Sequence, residues 1–576
     1  MLLPTLVSTL LLSATAVTAG RSLRHVGNRE RFAELEAKVN NVKSRAEQTH
    51  YHQLHERQVS APKYLTANTT RFAVNGTGIP DVDFDVGESY AGNLPITSDP
   101  NDPNQLYFWF FPSEGPSTDK EVLIWLNGGP GCSSLEGLIQ ENGPFLWQYG
   151  TYRPVKNPWA WNRLTNVVWV EQPVGTGFAT GTPTATSEED VAAQFKGFWK
   201  NFVNTFSMQG YKVYITGESY AGAYCPYIAS AMLDEEDTTY FDVSGMIIYD
   251  PVIATDGIQD NIVAVPFVDY WGGLFPFNDT FRADIHARDA SCGYTEWLNQ
   301  HLVYPPKGKI HSPLPGLNAT TGRSRRECRT LYNDIFSAIL ELNPCFDIYQ
   351  VATTCPILWD QLGFPGSFNY LPEGASIYFD RPDVKEAIHA PQNITWTSCS
   401  TIEVFVDGGD TSEPSSFHAL PHVIEKTNNV IIGHGALDMV LIANGTLLGI
   451  QNMTWNNLTG FQTRPTEPFY VPYHTDESLS TIAGAGVFGT AHTERGLTYV
   501  GVDLSGHMIP QYAPTAAFRH LEVLLGRVES MNEKTPFTVD KDVPQSEEKL
   551  GSGTAPQGWS NKSGCKGGKR RVRRSL

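Results

Sequence analysis

The hexapeptide GESYAG stands in two very different settings in this chain, at 87–92 and at 217–222. Each copy has the pattern G-x-S-x-G, in which a serine on a sharp turn can act as a nucleophile. The second copy follows the β-branched and aromatic run YKVYIT and precedes the helix-like AYCPYIASAML. A strand, a tight turn and a helix in this order predict a nucleophile elbow at Ser219, at the carboxyl edge of a sheet.

The first copy lacks this context. Acidic and polar residues precede it, and Pro95 follows too soon for a helix, so we interpret it as an extended segment or a hairpin. At the second copy, Gly217 and Gly222 leave room for a strained turn and for close packing of the departing helix. The N-terminus of that helix brings N–H groups and partial positive charge to a developing oxyanion. We therefore predict that Ser219 is the nucleophile and that Ser89 is a coincidence of sequence.

The rest of the pattern predicts an α/β fold. Strand-like runs (NVVWVEQ, YKVYIT, SGMIIY) alternate with helix-like ones (SEEDVAAQFKGFWKNFVNTF, AYCPYIASAML), which indicates crossover connections and a mostly parallel sheet. This alternation lapses between about 255 and 400, where amphipathic segments such as ECRTLYNDIFSAILELN predict a mainly helical insertion. Strand-like runs return at NNVIIG and LTYVGV. The catalytic domain is expected to span 61–535.

A serine nucleophile needs a base, and the base needs an acid that orients it. His507 follows the strand-like LTYVGVD and a glycine that permits a tight loop. Asp438 also lies just past a buried strand, in NNVIIGHGALDMVLI. Asp407 and Asp410, in VFVDGGD, are the alternatives for the acid. The local pattern favours Asp438.

The two ends of the chain differ from its middle. Residues 1–19 form an apolar run that ends in small residues, which predicts a secretory signal peptide; a short membrane anchor is the alternative. Residues 20–60 are charged and helix-prone, and we interpret them as a pro-segment or exposed arm, or else as a surface helix. Residues 536–576 end in KGGKRRVRRSL and predict a disordered tail. Since no later stretch is apolar enough to cross a bilayer, a secreted, extracellular protein is expected.

Cysteines and glycosylation signals agree with an oxidising compartment. The eight cysteines lack C-x-x-C spacing, which favours disulfides over zinc. Four of them could close two bridges in any of three pairings: Cys292, Cys328, Cys345 and Cys355. Cys225 is predicted to be a buried structural cysteine, and Cys565 stays unassigned. Sequons predict glycosylation at Asn68, Asn75, Asn278, Asn318, Asn393, Asn444, Asn452, Asn457 and Asn561.

Four stretches carry a more specific pattern: WLNGGPGCSS (125–134), GESYAGAYCP (217–226), GALDMV (435–440) and SGHMIP (505–510). In this order they resemble the landmark motifs of the serine carboxypeptidases, over roughly residues 71–530. In its finer sequence detail the chain resembles the secreted fungal carboxypeptidase S1 subgroup. The resemblance implies an α/β-hydrolase fold with a mainly parallel central sheet and a largely helical insertion, or cap. One departure is visible, because the chain reads YDPVIA where many members have a turn containing Asn-Gly.

The resemblance also implies roles for individual residues. It makes Ser219 the nucleophile, Asp438 the orienting acid and His507 the base. The backbone N–H groups of Gly129 and Tyr220 would form the oxyanion hole. A disulfide would join Cys132 and Cys399.

Selection of a C-terminal residue follows from the same resemblance. The positions that would hydrogen-bond the free α-carboxylate of a peptide are Asn127, Glu141 and Glu218, with Trp125 supporting them. At least one glutamate must hold a proton, because an ionised carboxylate cannot donate a hydrogen bond to another. Two adjacent carboxyls in a desolvated site raise one pKa, so activity on peptides is expected to be highest in acid.

The implied reaction needs no metal or organic cofactor. The penultimate carbonyl acylates Ser219, the C-terminal amino acid departs, and water activated by His507 completes hydrolysis. GAGVFG (484–489) fits a dinucleotide-binding pattern, but no helix opens there. The net charge of −19 argues against a nucleic-acid or anionic-membrane partner. An esterase or acyltransferase on the same scaffold, and an inert binding protein, are the other hypotheses; the preferred C-terminal residues are left open.

Overall fold

The computed structural model describes residues 61–539, except 116–119, 311–313, 319, 357, 364–373 and 475–483. The predicted signal peptide, the predicted N-terminal arm and the basic tip of the chain, with Asn561 and Cys565, lie outside the described residues. The described residues from Lys63 to Val539 belong to one structural unit.

Strands occur throughout the described part of the chain. In chain order they are β1 (Ala73–Val74), β2 (Ser89–Pro95), β3 (Gln105–Phe111), β4 (Glu121–Leu126), β5 (Phe145–Leu146), β6 (Val155–Lys156), β7 (Asn166–Glu171), β8 (Lys212–Glu218), β9 (Asp242–Tyr249), β10 (Val430–Gly435), β11 (Thr454–Trp455), β12 (Leu458–Thr459), β13 (Glu467–Val471), β14 (Gly486–Glu494) and β15 (Leu497–Val502). Eleven of these form one sheet in the order β1-β2-β3-β7-β4-β8-β9-β10-β15-β14-β13.

The middle of this sheet is parallel, from β7 through β4, β8, β9 and β10 to β15. Both edges are antiparallel, at β1-β2-β3 and at β14-β13. Since parallel strands end at the same edge, the loops after β8, β9, β10 and β15 meet there. The predicted α/β fold with a mainly parallel sheet is confirmed.

Burial on both faces explains why the central strands are apolar without interruption. In β4, Val122, Ile124 and Leu126 enter the core on one face, whereas Leu123 and Trp125 enter the core on the other. Successive side chains of a strand point to opposite faces, and helices cover both faces of a parallel sheet. The two apolar cores therefore lie above and below one sheet.

The helices are α1 (Ser134–Gly137), α2 (Glu188–Phe206), α3 (Ala221–Leu233), α4 (Ile262–Tyr270), α5 (Asp279–Cys292), α6 (Tyr294–His301), α7 (Arg326–Arg329), α8 (Leu331–Leu342), α9 (Pro382–Ala387), α10 (Ala419–Thr427), α11 (Ala443–Asn452), α12 (Ile509–Tyr512) and α13 (Pro514–Leu524). Helix α2 begins where Ser187 accepts a bond from Asp190 N–H, and it ends at Ser207 with φ +55°. Acidic residues fill its first turn, as the helix dipole favours. Among the described helices, none is long and apolar enough to cross a membrane.

The predicted helical insertion is present. Helices α4 to α9 fall within about 255–400, and the described part of that range holds no named strand. Helices α4, α5, α6 and α8 build a third apolar core, and this core also contains Leu437 and Met439 from the loop after β10. The insertion is therefore packed directly against the loop that carries Asp438.

Disulfides fix two parts of the insertion. Of the three pairings that the sequence allows, the structure has Cys292 bonded to Cys328 and Cys345 bonded to Cys355. Cys225 is buried and unbonded.

The predicted boundary of the tail at 536 is too early. Phe537 is buried and packs against Trp159 and Phe518, with ring centroids 4.7 and 5.8 Å away. An aromatic side chain at the second position of a polar-looking segment can bury a large apolar area, which pattern reading of that segment overlooked. The packed chain therefore continues to Val539, where the described residues end.

The sequons differ in accessibility. The exposed ones are Asn68, Asn75, Asn278, Asn318, Asn393 and Asn457. Asn444 and Asn452 lie half-buried in α11, and Asn452 Oδ1 accepts a bond from Ile310 N–H at 2.7 Å. Glycosylation at the exposed positions remains a prediction. Asn444 and Asn452 are less accessible to a sugar than those positions.

Candidate active site

Ser219 stands at the turn between β8 and α3. Its φ of +62° lies in the left-handed region, which few non-glycine residues adopt and which surrounding contacts must hold. Ser219 N–H donates to the Tyr249 carbonyl at 2.9 Å, and the Ser219 carbonyl accepts from Val252 N–H at 2.9 Å. A Cβ at Gly222 would lie 2.6 Å from the Val252 backbone, so only glycine permits this approach. The geometry is that of a nucleophile elbow.

The other GESYAG has a different structure. Ser89 begins β2, which pairs antiparallel with β3, and its side chain is buried. The next residue, Tyr90, packs on Phe110 and Phe206 in the core. No helix follows, because β2 continues to Pro95. Ser89 is an element of the sheet, away from the loops at the carboxyl edge.

Asp438 and His507 come together from the loops after β10 and β15. His507 Nδ1 and Asp438 Oδ2 are 2.8 Å apart, and both side chains are buried. The carboxylate also accepts from Val440 N–H at 2.7 Å and from Leu441 N–H at 3.3 Å. With Nδ1–H donating to the carboxylate, Nε2 is the nitrogen that can accept a proton.

His507 Nε2 has no hydrogen-bond partner among the described residues. It is therefore not hydrogen-bonded to Ser219 Oγ in this structure. The hydrogen bond between a base and its nucleophile commonly tightens only in the complex with substrate. The backbone hydrogen bonds of Ser219 to Tyr249 and Val252 hold it at the same carboxyl edge of the sheet as His507. Asp250 lies between these two partners in the sequence.

The competing aspartates do not contact His507. Asp410 Oδ2 accepts the Tyr220 hydroxyl at 2.6 Å, and Asp410 Oδ1 accepts from Ser412. Asp407 is exposed in a turn, with φ +61°. Of the three candidates that the sequence offered, the structure brings only Asp438 to the imidazole.

A glycine loop runs against the elbow. A Cβ at Gly128 would lie 2.4 Å from Tyr220 N and 2.8 Å from Ser219 Cβ, so this position requires glycine. Within the described part of the chain, neither Gly129 N–H nor Tyr220 N–H is used in a backbone hydrogen bond. Both amides are thus available to a ligand atom beside Ser219, as an oxyanion hole requires.

The same loop is anchored by the disulfide that the resemblance implies. Cys132 is bonded to Cys399. On either side, Ser133 N–H donates to Ser398 O at 2.7 Å, and Ser400 N–H donates to Gly131 O at 2.8 Å. The segment around Cys399 therefore holds the glycine loop in place.

Four buried side chains form a hydrogen-bonded network next to the elbow. Asn127 Nδ2 donates to Glu218 Oε1 at 2.9 Å and to Glu141 Oε1 at 3.2 Å. Trp125 Nε1 donates to Asn127 Oδ1 at 2.8 Å, which fixes the orientation of the amide. The second oxygens of Glu141 and Glu218 are buried without a partner among the described residues. Unsatisfied buried oxygens of this kind are available to a polar ligand.

The two glutamates both have raised pKa values. Burial raises the pKa of Glu141 to about 7, although hydrogen bonds from Glu218 and Asn127 oppose the rise. Burial, and then the charge of Glu141, raise the pKa of Glu218 well above its ordinary range. Since the interaction between the two carboxyl groups lowers the pKa of Glu141 and raises that of Glu218, Glu218 is the group that keeps its proton to higher pH.

Sequence reasoning missed two residues at this site. Asp250, in the YDPVIA departure, is fully buried and lies close to His434 and Asp438. Tyr349, from the insertion, packs against the His507 ring. The departure from Asn-Gly was the only signal for Asp250, and nothing in the local pattern pointed to Tyr349.

Two other sequence predictions concern motifs that resemble functional sites of other kinds. The GAGVFG segment leads into β14, which forms an antiparallel hairpin with β15, as predicted. Cys225 lies in α3 and is fully buried, as predicted, and burial raises the pKa of its thiol well above the ordinary range. A thiol held neutral in this way is a poor nucleophile.

Comparison with known proteins gives a consistent result. Residues 80–527 match the family model for serine carboxypeptidases. The chain is 54% identical to a probable serine carboxypeptidase of Arthroderma benhamiae, over 89% of this chain and 95% of that protein. It is 45% identical to serine-type carboxypeptidase F of Aspergillus niger, over 92% of this chain and 100% of that protein.

Among solved structures, the fold is similar to that of Kex1, a prohormone-processing carboxypeptidase from Saccharomyces cerevisiae. The TM-score is 0.62 at 22% identity, over 81% of this chain and 98% of that one. The similarity supports an α/β-hydrolase fold with helical insertions. With the family model covering most of the chain and close relatives along nearly its whole length, the chain belongs to the serine carboxypeptidase family.

Proposed function

We propose that this carboxypeptidase is secreted and releases C-terminal amino acids from peptides and proteins at acidic pH, through an acyl-enzyme on Ser219. Ser219 is the nucleophile, His507 the general base and Asp438 the acid that orients it. Gly129 and Tyr220 provide the oxyanion hole.

The observation that carries the proposal is the position of Glu218. It is the residue before Ser219, and its Oε1 accepts the Asn127 amide that also bonds Glu141. A buried pair of carboxyl groups this close to the serine suits a substrate whose free C-terminus lies one residue beyond the attacked carbonyl. An esterase would have no use for such a pair.

The chemical steps follow from the arrangement. His507 Nε2 takes the proton from Ser219 Oγ as the oxygen attacks the penultimate carbonyl, and the two N–H groups stabilise the resulting oxyanion. The imidazolium then protonates the departing amine, which releases the C-terminal amino acid. Water, deprotonated by His507, attacks the ester and frees Ser219.

The pH dependence follows from the glutamates. In acid both carboxyl groups hold protons and donate to the substrate carboxylate. As pH rises through the pKa of Glu141, about 7, this donor is lost and a negative charge faces the negative substrate. Peptide hydrolysis is therefore expected to decline above about pH 7.

Secretion is supported by independent features of the chain. The N-terminal apolar run fits a signal peptide, sequons are exposed at several positions, and three disulfides occur in the described residues. Disulfides of this kind persist in oxidising compartments.

The test compares two substrates that differ only at the C-terminus. A peptide with a free carboxylate and the same peptide as its C-terminal amide are incubated with enzyme from about pH 4 to about pH 8, and products are followed by mass spectrometry. We expect kcat/KM for the free acid to exceed that for the amide by at least about 100-fold. Equal rates on the two substrates would contradict the proposal.

Glu141→Gln provides the matched variant. Glutamine keeps the shape and a donor group but cannot ionise, so the decline above neutral pH should be weaker on the free acid. Unchanged pH dependence in both Glu141→Gln and Glu218→Gln would refute the role of the carboxyl pair.

A further inference from the structure

Asp250 is a fully buried carboxyl group behind the Asp438–His507 pair. It follows β9 with φ +43°, a conformation that aspartate tolerates better than most residues. Its Oδ1 accepts Gly435 N–H at 2.8 Å, so it is bonded to the end of the strand that leads to Asp438. Its Oδ2 is buried with no donor among the described residues.

The Asp250 and Asp438 carboxyl groups lie next to each other. One oxygen of each carboxyl group and a nitrogen of His434 lie within 4.8 Å of one another. After burial, the charge of Asp438 and a hydrogen bond with it raise the pKa of Asp250. Two ionised carboxylates in a buried, low-dielectric site would repel strongly, and neither could donate. The pair is therefore stable only if a proton or a cation lies between them.

The tautomer of His434 decides against a cation. His434 Nε2 lies 2.6 Å from the Leu441 carbonyl, so this nitrogen carries a hydrogen and donates it. The same nitrogen is the one that faces the carboxyls, 3.4 Å from Asp250 Oδ1 and 3.9 Å from Asp438 Oδ2. A nitrogen that holds a hydrogen has no lone pair for a metal.

The proton belongs to Asp250. Asp438 already accepts bonds from His507, Val440 and Leu441, as a carboxylate does. Asp250 accepts only one and has a free buried oxygen that can donate. Burial, and then the charge of Asp438, raise the pKa of Asp250 well above its ordinary range.

Among the described residues, no lysine or arginine forms an ion pair or hydrogen bond with Asp250. The titratable groups around it are His434, Asp438, Glu141, Glu218, Tyr249 and Tyr499, with His507 beyond Asp438 as the partner of that carboxylate. Burial lowers the pKa of His434 to about 4, so this ring is neutral above that pH. The acidic members of this set make ionisation of Asp250 still less favourable.

We propose that Asp250 is a positioning residue that donates a hydrogen bond from its protonated carboxyl group to Asp438, and so fixes the carboxylate that orients His507. The inference rests on the proposed function, because it assigns a task within the Asp438–His507 pair. It also explains the sequence departure, since a neutral carboxylic acid and an asparagine amide both offer one donor and one acceptor here.

The experiment uses a substrate that bypasses the glutamate pair. An N-acylated amino acid ethyl ester has no free carboxylate, so its hydrolysis depends on Ser219 and the Asp438–His507 pair alone. Steady-state kcat and KM are measured from about pH 4 to about pH 10 for the wild type, Asp250→Asn and Asp250→Leu. Hydrolysis by the wild type establishes the serine chemistry, and its absence would refute the proposed function instead.

Asparagine should keep the wild-type rate in acid, within about threefold, and should abolish the decline that ionisation of Asp250 causes at high pH. Leucine should lower kcat by at least about tenfold at every pH with little change in KM, because Asp438 loses its donor. Asp260→Asn, which removes a carboxyl group that acts on Asp438 only through space, should leave the profile unchanged.

Three results would overturn the proposal. One is full activity in Asp250→Leu. The second is a decline in kcat at high pH that is the same in Asp250→Asn as in the wild type. An equal shift of this decline in Asp260→Asn would count in the same way. The third is a stoichiometric metal ion in the purified protein, together with loss of ester hydrolysis on chelation.

Discussion

The ring of Tyr349 meets the imidazole of His507 edge to face, with ring centroids 5.2 Å apart. The Tyr349 carbonyl also accepts a hydrogen bond from the backbone N–H of His507 at 2.8 Å. Nearby, Met439 N–H donates to Ile348 O and Val351 N–H donates to Leu437 O. A short loop of the insertion thus contacts both the loop of Asp438 and the loop of His507. The insertion therefore supports the geometry of the Asp438–His507 pair.

Removal of the Tyr349 ring should loosen His507. We expect Tyr349→Ala to lower kcat on an ester by roughly tenfold, because small displacements of a base are costly, while the protein stays folded. Stopped-flow acylation rates and circular dichroism check both parts. Tyr152→Ala removes a ring that is 79% exposed and should have no effect; equal rates in the two variants would contradict the role of Tyr349.

The two disulfides of the insertion should have separable effects. Cys345–Cys355 closes the loop that holds Tyr349, whereas Cys292–Cys328 joins α5 to α7 earlier in the insertion. Sequence separations of 10 and 36 give losses of about 3 and about 4 kcal/mol in the free energy of unfolding. Double serine variants, studied well below their melting temperatures, should show reduced kcat only for the first pair. Equal loss of kcat in both would refute the distinction.

Close approach at Gly128 should make this position intolerant of any side chain. In Gly128→Ala the new methyl would meet Tyr220 N and Ser219 Cβ, which displaces the elbow from the oxyanion-hole amides. We expect kcat to fall by at least about 100-fold. Gly273→Ala is the matched control, since a methyl group there meets nothing within 4 Å. An active Gly128→Ala enzyme would contradict the packing described for this loop.

Stability should be greatest in acid. Burial raises the pKa of Glu171 and of Asp260 to about 7, so each contributes stability below its unfolded pKa that is lost as pH rises through about 7. Burial lowers the pKa of His434 to about 4 and of His520 to about 3. These two neutral histidines therefore contribute stability above about pH 6.5 that is lost as pH falls below it. Thermal melts should therefore show the highest Tm between about pH 4.5 and about pH 6.5, where the two effects offset each other.

Glu171→Gln isolates one of these groups. Glu171 is fully buried and accepts bonds from Ser133, Phe178 N–H and Trp396. Its removal should make the slope of the unfolding free energy against pH more positive by up to about 1.4 kcal/mol per pH unit between about pH 4.5 and 7. Glu236→Gln changes an exposed glutamate and serves as the control. An unchanged slope in Glu171→Gln would show that this carboxyl group is ionised throughout.

Local chemistry explains which features the sequence could predict. The elbow at Ser219 needs a strand, a turn with glycine and a helix in immediate succession, and all three are written in consecutive residues. The central strands could likewise be recognised from apolar runs, because both of their faces are buried. The insertion could be predicted as helical from its amphipathic period, such as that of α8.

Features that depend on contacts between distant residues could not be predicted in this way. Asp250 and Asp438 are brought together only because β9 and β10 are neighbours in the sheet. Tyr349 reaches His507 through the path of the insertion, which no local period encodes. The pairing of Cys292 with Cys328, and the burial of Phe537 against Trp159, also depend on tertiary packing.

The central claim is that Ser219, activated by His507, is the nucleophile. Labelling with a fluorophosphonate followed by peptide mapping tests it most directly, because the reagent phosphonylates an activated serine. We expect one adduct, on Ser219, that disappears in Ser219→Ala and is strongly reduced in His507→Ala. An adduct on Ser89 or another serine, or undiminished labelling of the Ser219→Ala protein, would contradict it.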